Sequence, residues 1–432
     1  MTLPSETLPN FEAYYDSAKK IYCISDRQKN YIEVTDQSLR RHLRGAGYAT
    51  ETSRGEIISQ VDRMLNDYQL DAAVQYAGPL AGHSRGLKES CGNKILVTNS
   101  PKLIEPQAGE FPVLAALMEN LFREAEHDQR PYLYGWLKVM IEALRDGRHR
   151  PGQVIALAGP ANCGKSLVQL LFTEAFGGRA AKPYRYMSGM TPFNAELFGA
   201  EHLVIEDEAA STDLRARRLF GARIKDFCVN EVQSCHAKNR QAISLRPVWR
   251  VSVSLNNEPE NLMILPPMDE SLKDKIMLLR ANKAAMPMGT DSGDGRARFW
   301  AVLMAELPAF VHFLLANPIP EELRCERFGI TTFQHPELLD AIEALSPEDR
   351  LLGLLDAVVF EQVTSAPIIV TSDEVERTLA NSPFGYEARR LLNWANACGT
   401  YLGRLATKRP ERVEQRRTNT ARQWVIHPPV TP

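Results

Sequence analysis

The chain has 432 residues, of which 44% are hydrophobic and 24% are charged, and its formal net charge is −2. These values are ordinary for a globular protein of two or three domains, and they exclude collagen-like and largely disordered chains. The near-neutral balance excludes a surface that is positive throughout, although local basic clusters can still bind nucleic acid.

The N-terminal sequence and the cysteine spacing indicate in which cellular compartment the protein is located. The first residues lack a basic stretch followed by an apolar core, and no apolar run reaches the roughly 18 residues that a membrane span needs. Seven cysteines occur without a C-x-x-C pair, and Cys228, Cys235 and His236 lack a fourth ligand at zinc spacing. We therefore expect reduced thiols, no membrane partner, and a location in the cytoplasm of a bacterial or phage-infected cell.

Residues 1–110 mix short helical patterns with glycine-rich turns and carry no catalytic signature, so we interpret them as a helical N-terminal region of unknown role. A helix is predicted from Pro112, because apolar residues follow at helical spacing after a proline in the first turn. A second helix is predicted over about 132–146, where Gly147 ends the apolar stripe.

The periodicity then changes from helical to strand-like. Residues 154–158 form a continuous apolar run, and strand-like runs follow at 203–205 and 251–255. Such runs, separated by helical stretches, predict an α/β core with a parallel sheet buried on both faces. We place this core in a domain that spans residues 111–335.

After a mobile loop over 287–296 and a helix over 297–317, a separate domain is predicted over residues 340–432. Its patterns run helix, strand, helix, a longer helix over 386–402 and two terminal strands, which is the order of a winged helix. It contains a cluster of seven basic residues opposed by two acids: Arg404, Lys408, Arg409, Arg412, Arg416, Arg417 and Arg422. We predict that Arg416 and Arg417 contact DNA, and the alternative for such a charge run is a solvated face.

The segment after the first buried strand fits the pattern G-x-x-x-x-G-K-[ST]. We predict that its backbone N–H groups face a nucleotide phosphate, that Lys165 reaches the β- and γ-phosphates, and that Ser166 ligates Mg²⁺. The helix that follows directs its positive end toward the anion. The predicted ATP-binding residues are Gly159, Pro160, Ala161, Asn162, Cys163, Gly164, Lys165, Ser166 and Leu167.

The second buried strand ends in Glu206, Asp207 and Glu208, as an apolar strand that supplies catalytic acids should. One carboxylate would hold Mg²⁺, which we assign to Asp207 beside Ser166, and another would orient the attacking water. Three successive acids cannot all face one point, so Glu206 and Asp207 are the predicted pair and Glu208 is in reserve. Asn256, at the end of the third strand, is predicted to position the lytic water, although asparagine is also common in turns.

A basic segment over residues 222–247 lies between the second and third strands. Within it, His236, Lys238 and Arg240 occupy a polar stretch with the turn propensity of a loop tip between short strands. We predict that these three side chains bind DNA.

Together, the phosphate-binding loop, the acid-terminated strand, the basic hairpin and the strand that ends at Asn256 resemble the superfamily 3 helicases, which are AAA+-like P-loop ATPases. The likeness is nearest to the phage and plasmid primase–helicase branch and covers about residues 110–335. It implies a hexameric ring in which Lys238, with His236, grips single-stranded DNA and Asn256 acts as a sensor. It also implies a cation supplied by the neighbouring subunit, for which Lys275 stands where the family has arginine, with Lys273 and Arg280 as alternatives.

The function that this resemblance implies is an ATP-dependent DNA helicase of phage, plasmid or mobile-element replication, which uses ATP and Mg²⁺. Its partners would be single-stranded, forked or origin DNA and further copies of itself. Because residues 1–110 show no primase module, a primase or other replication proteins would also be partners. The alternative is an ATP-switched loader or regulator that hydrolyses ATP without unwinding. A small-molecule P-loop kinase would not require the basic hairpin or the winged helix.

Overall fold

The computed structural model describes residues 11–26, 30–52, 54–206, 214–344, 346–360, 366–417 and 422–429. The chain divides into two units, Met1–His335 and Pro336–Pro432. The predicted boundary between residues 110 and 111 falls inside the first unit, and the predicted C-terminal domain lies inside the second.

The N-terminal part of the first unit is built mainly of short strands. Its elements are β1 (Ala13–Asp16), β2 (Ile21–Ser25), β3 (Tyr31–Val34), α1 (Asp36–Gly45), α2 (Gln60–Leu70), β4 (Ala73–Val74), β5 (Tyr76–Gly78), β6 (Gly86–Ser90) and β7 (Asn93–Val97). They form two small sheets with the orders β3-β2-β1-β4 and β5-β7-β6. The prediction of a helical N-terminal region is therefore wrong. Strands of two to five residues are too short to display the alternation that identifies a strand.

The turn after β5 joins the N-terminal part to the rest of the unit through hydrogen bonds. The backbone N–H of Gly82 donates to the Glu201 carboxylate at 2.7 Å, and Glu201 is fully buried against Arg179. The N–H of Val248 donates to the carbonyl of Ala81 at 2.9 Å. These backbone and carboxylate bonds join the N-terminal part to the α/β core within the first unit.

The rest of the first unit is an α/β core. Its elements are α3 (Pro112–Phe122), α4 (Arg130–Asp146), β8 (Val154–Ala158), α5 (Lys165–Ala175), β9 (Ala180–Ala181), α6 (Tyr184–Met187), β10 (His202–Ile205), α7 (Leu214–Val229), β11 (Gln233–Cys235), β12 (Ile243–Leu245), β13 (Arg250–Leu255), α8 (Pro259–Leu262), α9 (Glu270–Lys273), β14 (Ile276–Arg280) and α10 (Gly293–Ala316). Five strands form a parallel sheet in the order β14-β8-β13-β10-β9. The predicted α/β class with a parallel sheet is confirmed.

Helices α3, α4 and α10 pack on one another and on this sheet through a continuous apolar core. The Glu306 carboxylate of α10 accepts from the N–H groups of Val113 and Leu114, at 3.2 and 2.7 Å, and so caps the start of α3. Helix α10 is long and apolar enough to cross a membrane by length and composition alone, and its buried stripe belongs to this core. It begins earlier than predicted because Ser292 caps it, so the glycine-rich residues 293–295 are helical.

The second unit contains α11 (Pro336–Ala344), α12 (Pro347–Leu355), β15 (Ile368–Val370), α13 (Ser372–Ala380), α14 (Gly385–Leu391), α15 (Ala397–Lys408), β16 (Val413–Arg417) and β17 (Arg422–Ile426). The strands form an antiparallel sheet in the order β15-β17-β16, and the helices pack on it around Trp424 and Tyr401. The single helix predicted over 386–402 is wrong. The structure has two helices there, because α14 ends at Leu391 and α15 begins only at Ala397. Asn396, directly before α15, has a φ of 64° in the left-handed region, which a continuous right-handed helix does not allow.

Candidate nucleotide-binding site and basic hairpin

The loop between β8 and α5 has the backbone of a tight phosphate-binding loop. Asn162 and Gly164 have φ angles of 58° and 108°, in the left-handed region that glycine adopts most readily. A Cβ atom on Gly159 would lie 2.3 Å from the carbonyl oxygen of Ala281, so only glycine fits there. Because α5 begins at Lys165, the loop ends at a helix N-terminus, where unpaired N–H groups favour an anion.

Lys165 lies inside this loop, and its hydrogen-bond partners among the described residues are all neutral. Its side chain is buried, and its ammonium donates to the carbonyl oxygens of Gly159 at 2.8 Å and Pro160 at 2.7 Å. It also donates to Oδ1 of Asn256 at 3.2 Å. These three acceptors are neutral, so a phosphate group could replace them and gain a full charge interaction. The residues of the loop therefore fit a nucleotide phosphate, and Ser166 beside them is exposed.

The strand order explains why Asn256 reaches Lys165. β13 lies between β8 and β10, so the residues that follow these three strands meet at one edge of the sheet. Asn256 directly follows β13, and the half-buried Glu206 directly follows β10. Asp207 and Glu208 lie outside the described residues. Within the described ranges, no group of three or more His, Cys, Asp or Glu side chains could hold a metal ion.

Sequence reasoning missed a group of buried polar residues below the loop. Gln169 and Thr173 follow Lys165 at intervals of four on α5, and they bond to His202 of β10 and Ser252 of β13. Burial lowers the pKa of His202 to about 3, so its imidazole is neutral near pH 7. The available signal was a polar stripe at helical spacing on an otherwise apolar helix.

It also missed the segment that crosses the loop after β14. Asn282 donates its backbone N–H to the carbonyl of Leu121 at 2.9 Å, and Asn120 donates its side-chain amide to the carbonyl of Ala285 at 3.1 Å. These bonds hold the segment against the end of α3. A Cβ atom on Gly164 would lie 2.9 Å from the terminal carbon of Met286, so the segment closely covers the loop.

Lys275 lies at the opposite edge of the sheet from the phosphate-binding loop. It directly precedes β14, and its carbonyl accepts from the N–H of Val154, the first residue of β8. Its buried ammonium donates to Asp274 at 2.6 Å and to the carbonyl of Ser271 at 2.8 Å. Lys275 is thus hydrogen-bonded within its own chain.

The two alternative cations occupy different places. Lys273 ends α9, with Glu270 accepting at 2.8 Å, so it shares the edge of Lys275. Arg280 ends β14 opposite Ala158, at the edge that carries the loop, and it is half-buried, 3.7 Å from a carboxylate oxygen of Glu124. Of the three cations named from the sequence, only Arg280 lies at the edge of the loop.

The predicted basic hairpin is formed by β11 and β12, which pair antiparallel. At its tip, Lys238 and Arg240 are exposed, and Asn239 turns the chain with a φ of 59°. His236 lies lower: its N–H donates to Asn194 at 2.8 Å, and its half-buried ring lies 5.1 Å from that of Phe193. Lys238 and Arg240 are thus presented to solvent, whereas His236 belongs to the base of the hairpin.

The predicted basic cluster of the second unit is largely neutralised within that unit. Arg404 pairs with Glu348 at 3.6 Å. Lys408 and Arg409 both bond to Asp349, at 2.7 and 2.8 Å. Arg412 likewise pairs with Asp356. These four basic side chains are therefore paired with acids of the same unit. Acids of α12 and of the turn after it hold them in place.

Arg416 and Arg417, the two residues of the cluster that were predicted to contact DNA, are exposed on β16.

A cavity of about 540 Å³ lies away from the loop, between α4, the end of α10 and residues 318–329. Several of its charged lining residues are paired, since Glu142 accepts from Arg150 at 2.7 Å and lies 3.2 Å from Lys138. The side chains that the sequence predicts to be catalytic lie elsewhere, so this cavity is not part of the candidate site.

Comparison with solved structures identifies the fold. No protein-family model matches the chain, and no curated protein matches it in sequence. The A-form apo structure of the NrS-1 C-terminal region is similar over 97% of both chains, at 12% identity and a TM-score of 0.54. A second apo structure of that region covers 97% of this chain and 96% of its own, at 14% identity and a TM-score of 0.55. At these identities the likeness concerns the fold, which the two proteins share along almost their whole length.

Proposed function

We propose that this chain is an ATP-driven DNA helicase of the superfamily 3 type, acting in phage, plasmid or mobile-element replication. The observation that carries the proposal is the meeting of three groups at one edge of the parallel sheet. These are the buried ammonium of Lys165 with its neutral partners, the Asn256 amide that contacts it, and Glu206 at the end of the neighbouring strand.

ATP is the proposed substrate. On binding, the ammonium of Lys165 would exchange the loop carbonyls for the β- and γ-phosphates, where it stabilises the charge that develops in phosphoryl transfer. Asn256 and Glu206 would orient the attacking water, with Asp207 and Glu208 as the further acids of the sequence motif. Ser166 and Asp207 would hold Mg²⁺, which supplies charge neutralisation at the phosphates when bound.

Single-stranded DNA is the proposed track. The exposed tip of the hairpin, Lys238 and Arg240, supplies two cations of the kind that follow a phosphate backbone. In a hexameric ring, hydrolysis at subunit interfaces would move these tips along one strand. We infer that His236 supports the tip from its base, because it packs on Phe193.

We further propose that the second unit is a winged helix. Its helices α12, α13 and α15, the strand β15 and the hairpin of β16 and β17 follow the winged-helix order, with α14 as an additional helix. Arg416 and Arg417 would contact the phosphates of duplex or origin DNA from the wing.

The test of the nucleotide part is ATP turnover with and without single-stranded DNA. We expect turnover that single-stranded DNA stimulates in the wild type and that Lys165→Ala abolishes. If DNA does not change the turnover, the proposed coupling of the hairpin to ATP hydrolysis is wrong. If Lys165→Ala turns over ATP as fast as the wild type, the loop is not the site of hydrolysis. Turnover and DNA stimulation without strand displacement would support the loader or regulator alternative.

A further inference from the structure

Helix α5 faces the sheet with a stripe of three buried polar residues, which is unusual for a helix packed on a parallel sheet. Lys165, Gln169 and Thr173 are spaced four residues apart, so they share one face of the helix. The side-chain amide of Gln169 donates to the hydroxyl of Ser252 at 2.7 Å and to the carbonyl of Ile205 at 3.3 Å. Gln169 and Thr173 therefore bond to residues of β13 and β10, the strands that lead to the proposed site. Lys165 bonds to Asn256, the residue that follows β13.

The hydrogen bonds of the stripe can be assigned one consistent direction. Thr173 donates its hydroxyl to the carbonyl of Gln169 at 3.1 Å, so it must accept from Nδ1 of His202, which lies 2.7 Å away. Because the imidazole is neutral, its Nε2 accepts from the hydroxyl of Ser252 at 2.8 Å. That hydroxyl in turn accepts from Gln169. The chain of bonds thus starts and ends on Gln169, and each donor has one acceptor.

The two bonds of the Gln169 amide act on the positions of the proposed catalytic groups. Ile205, whose carbonyl it holds, directly precedes Glu206, so the bond fixes the peptide from which the Glu206 side chain extends. Ser252 lies on β13, four residues before Asn256, which directly follows that strand. Gln169, one turn after Lys165 on α5, therefore bonds to both β10 and β13.

Stability alone does not explain why a glutamine lies here. Among the described residues, the amide oxygen of Gln169 is one of the buried polar atoms without a hydrogen-bond partner. Such an atom costs about 1–3 kcal/mol, which an apolar residue of similar size would avoid. The glutamine therefore fits a role that depends on its two N–H donors.

We propose that Gln169, with Ser252 and His202, is a positioning network that sets Glu206 and Asn256 relative to the phosphate-binding loop. The inference rests on the proposed ATPase function of the same site. Gln169 itself touches no reacting atom in this account. It acts through the carbonyl of Ile205 and the hydroxyl of Ser252, and its loss should affect turnover more than nucleotide binding.

The test compares Gln169→Leu, which keeps the volume and removes the donors, with the wild-type full-length chain. We expect kcat for ATP to fall about 10- to 100-fold, as for a small misplacement of catalytic groups, with little change in KM or in the binding of a fluorescent ATP analogue. We also expect faster amide hydrogen exchange in residues 203–206, which needs no turnover. Ser252→Ala should share the loss, Ser252→Thr should restore it, and Ser252→Ala combined with Gln169→Leu should not be additive.

Val168→Ala is the matched control, since it removes buried apolar atoms from the same helix without touching the stripe. It should lower the stability and leave kcat unchanged. A wild-type chain without ATP turnover would overturn the proposed function and this inference together. A wild-type chain that turns over, beside a Gln169→Leu variant with normal kcat and normal exchange in residues 203–206, would overturn the positioning network alone.

Discussion

Lys165 and Lys275 are two lysines of the same core with almost equal burial, at 8% and 7% exposure, and they are held in opposite ways. Lys165 donates to neutral oxygens at the loop edge of the sheet, whereas Lys275 donates to the Asp274 carboxylate at the other edge. A buried ammonium without a balancing charge is costly unless a ligand supplies one, and a paired ammonium is already satisfied. From this contrast we predict that Lys165 binds an anion and that Lys275 stabilises the fold.

The largest expected effect is that of Lys165→Ala. If the loop binds ATP as proposed, this removes its one side-chain charge at the phosphates and should lower ATP turnover by about 10³-fold or more, because positive charge at the transferred phosphoryl group contributes strongly to catalysis. Steady-state release of phosphate measures it. Lys165→Arg keeps the charge and should still fail, since the buried site fits one ammonium. Turnover close to wild type in Lys165→Ala would contradict the proposal that Lys165, unlike Lys275, acts in ATP hydrolysis.

Lys238→Ala extends the comparison to the tip of the hairpin, for which DNA binding is proposed. Basal ATP turnover should be unchanged, while its stimulation by single-stranded DNA should fall about tenfold or more. The plot of log binding constant against log salt concentration should also become shallower, by about 0.7 in slope for each lost phosphate contact. Lys408→Ala is the control, because that lysine is held by Asp349. Equal losses in both variants would contradict the assignment of the hairpin tip.

The pH dependence of stability tests the buried polar stripe. His202 has its pKa lowered to about 3 in the folded chain, so between about pH 6.5 and pH 3 only the unfolded chain binds its proton. Stability therefore falls as the pH falls through this window. Between pH 7 and pH 5.5, the wild type should lose about 1 kcal/mol of unfolding free energy more than His202→Gln does, in denaturant unfolding.

His149, whose pKa burial lowers to about 4, acts in the same direction and remains in the His202→Gln variant as an internal reference. Parallel losses of stability in the wild type and in His202→Gln would show that His202 can take up a proton in the folded chain.

The smallest effect on catalysis is expected for Lys275→Ala. Its loss should reduce stability by about 1–3 kcal/mol, since a part-buried bond to a charged carboxylate is removed, and leave turnover per folded molecule nearly unchanged. Arg280→Ala, at the loop edge, should reduce turnover more. Poor turnover in Lys275→Ala that recovers in verified mixed rings with Lys165→Ala would instead support the trans role implied by the family resemblance.

The core elements were predictable because local sequence patterns mark them. Contacts between residues far apart in the sequence were not predictable. The loop from Gly159 to Ser166 and the strand at 154–158 are local signals, because each motif contains its own geometry. The bond of Gln169 to Ser252 spans 83 positions, so no local pattern shows it. The pairing of Arg409 with Asp349 likewise depends on how α12 packs, and a sequence shows only the excess of positive charge.

The same reasoning explains the errors in element type. Short strands such as β4 pair through backbone groups that any residue supplies, so their side chains carry little signal. The break over residues 392–396 includes the left-handed residue Asn396, and the sequence there continues a helical pattern without a glycine or proline to mark it.

Strand displacement on forked DNA tests the central claim most directly. The wild type, Lys165→Ala and Lys238→Ala would each be mixed with a labelled fork, with and without ATP, and the release of the displaced strand would be followed. We expect release by the wild type only when ATP is present, and none by either variant. Release without ATP, release by Lys165→Ala, or no release by a wild type that hydrolyses ATP would contradict the account of this chain as an ATP-driven helicase.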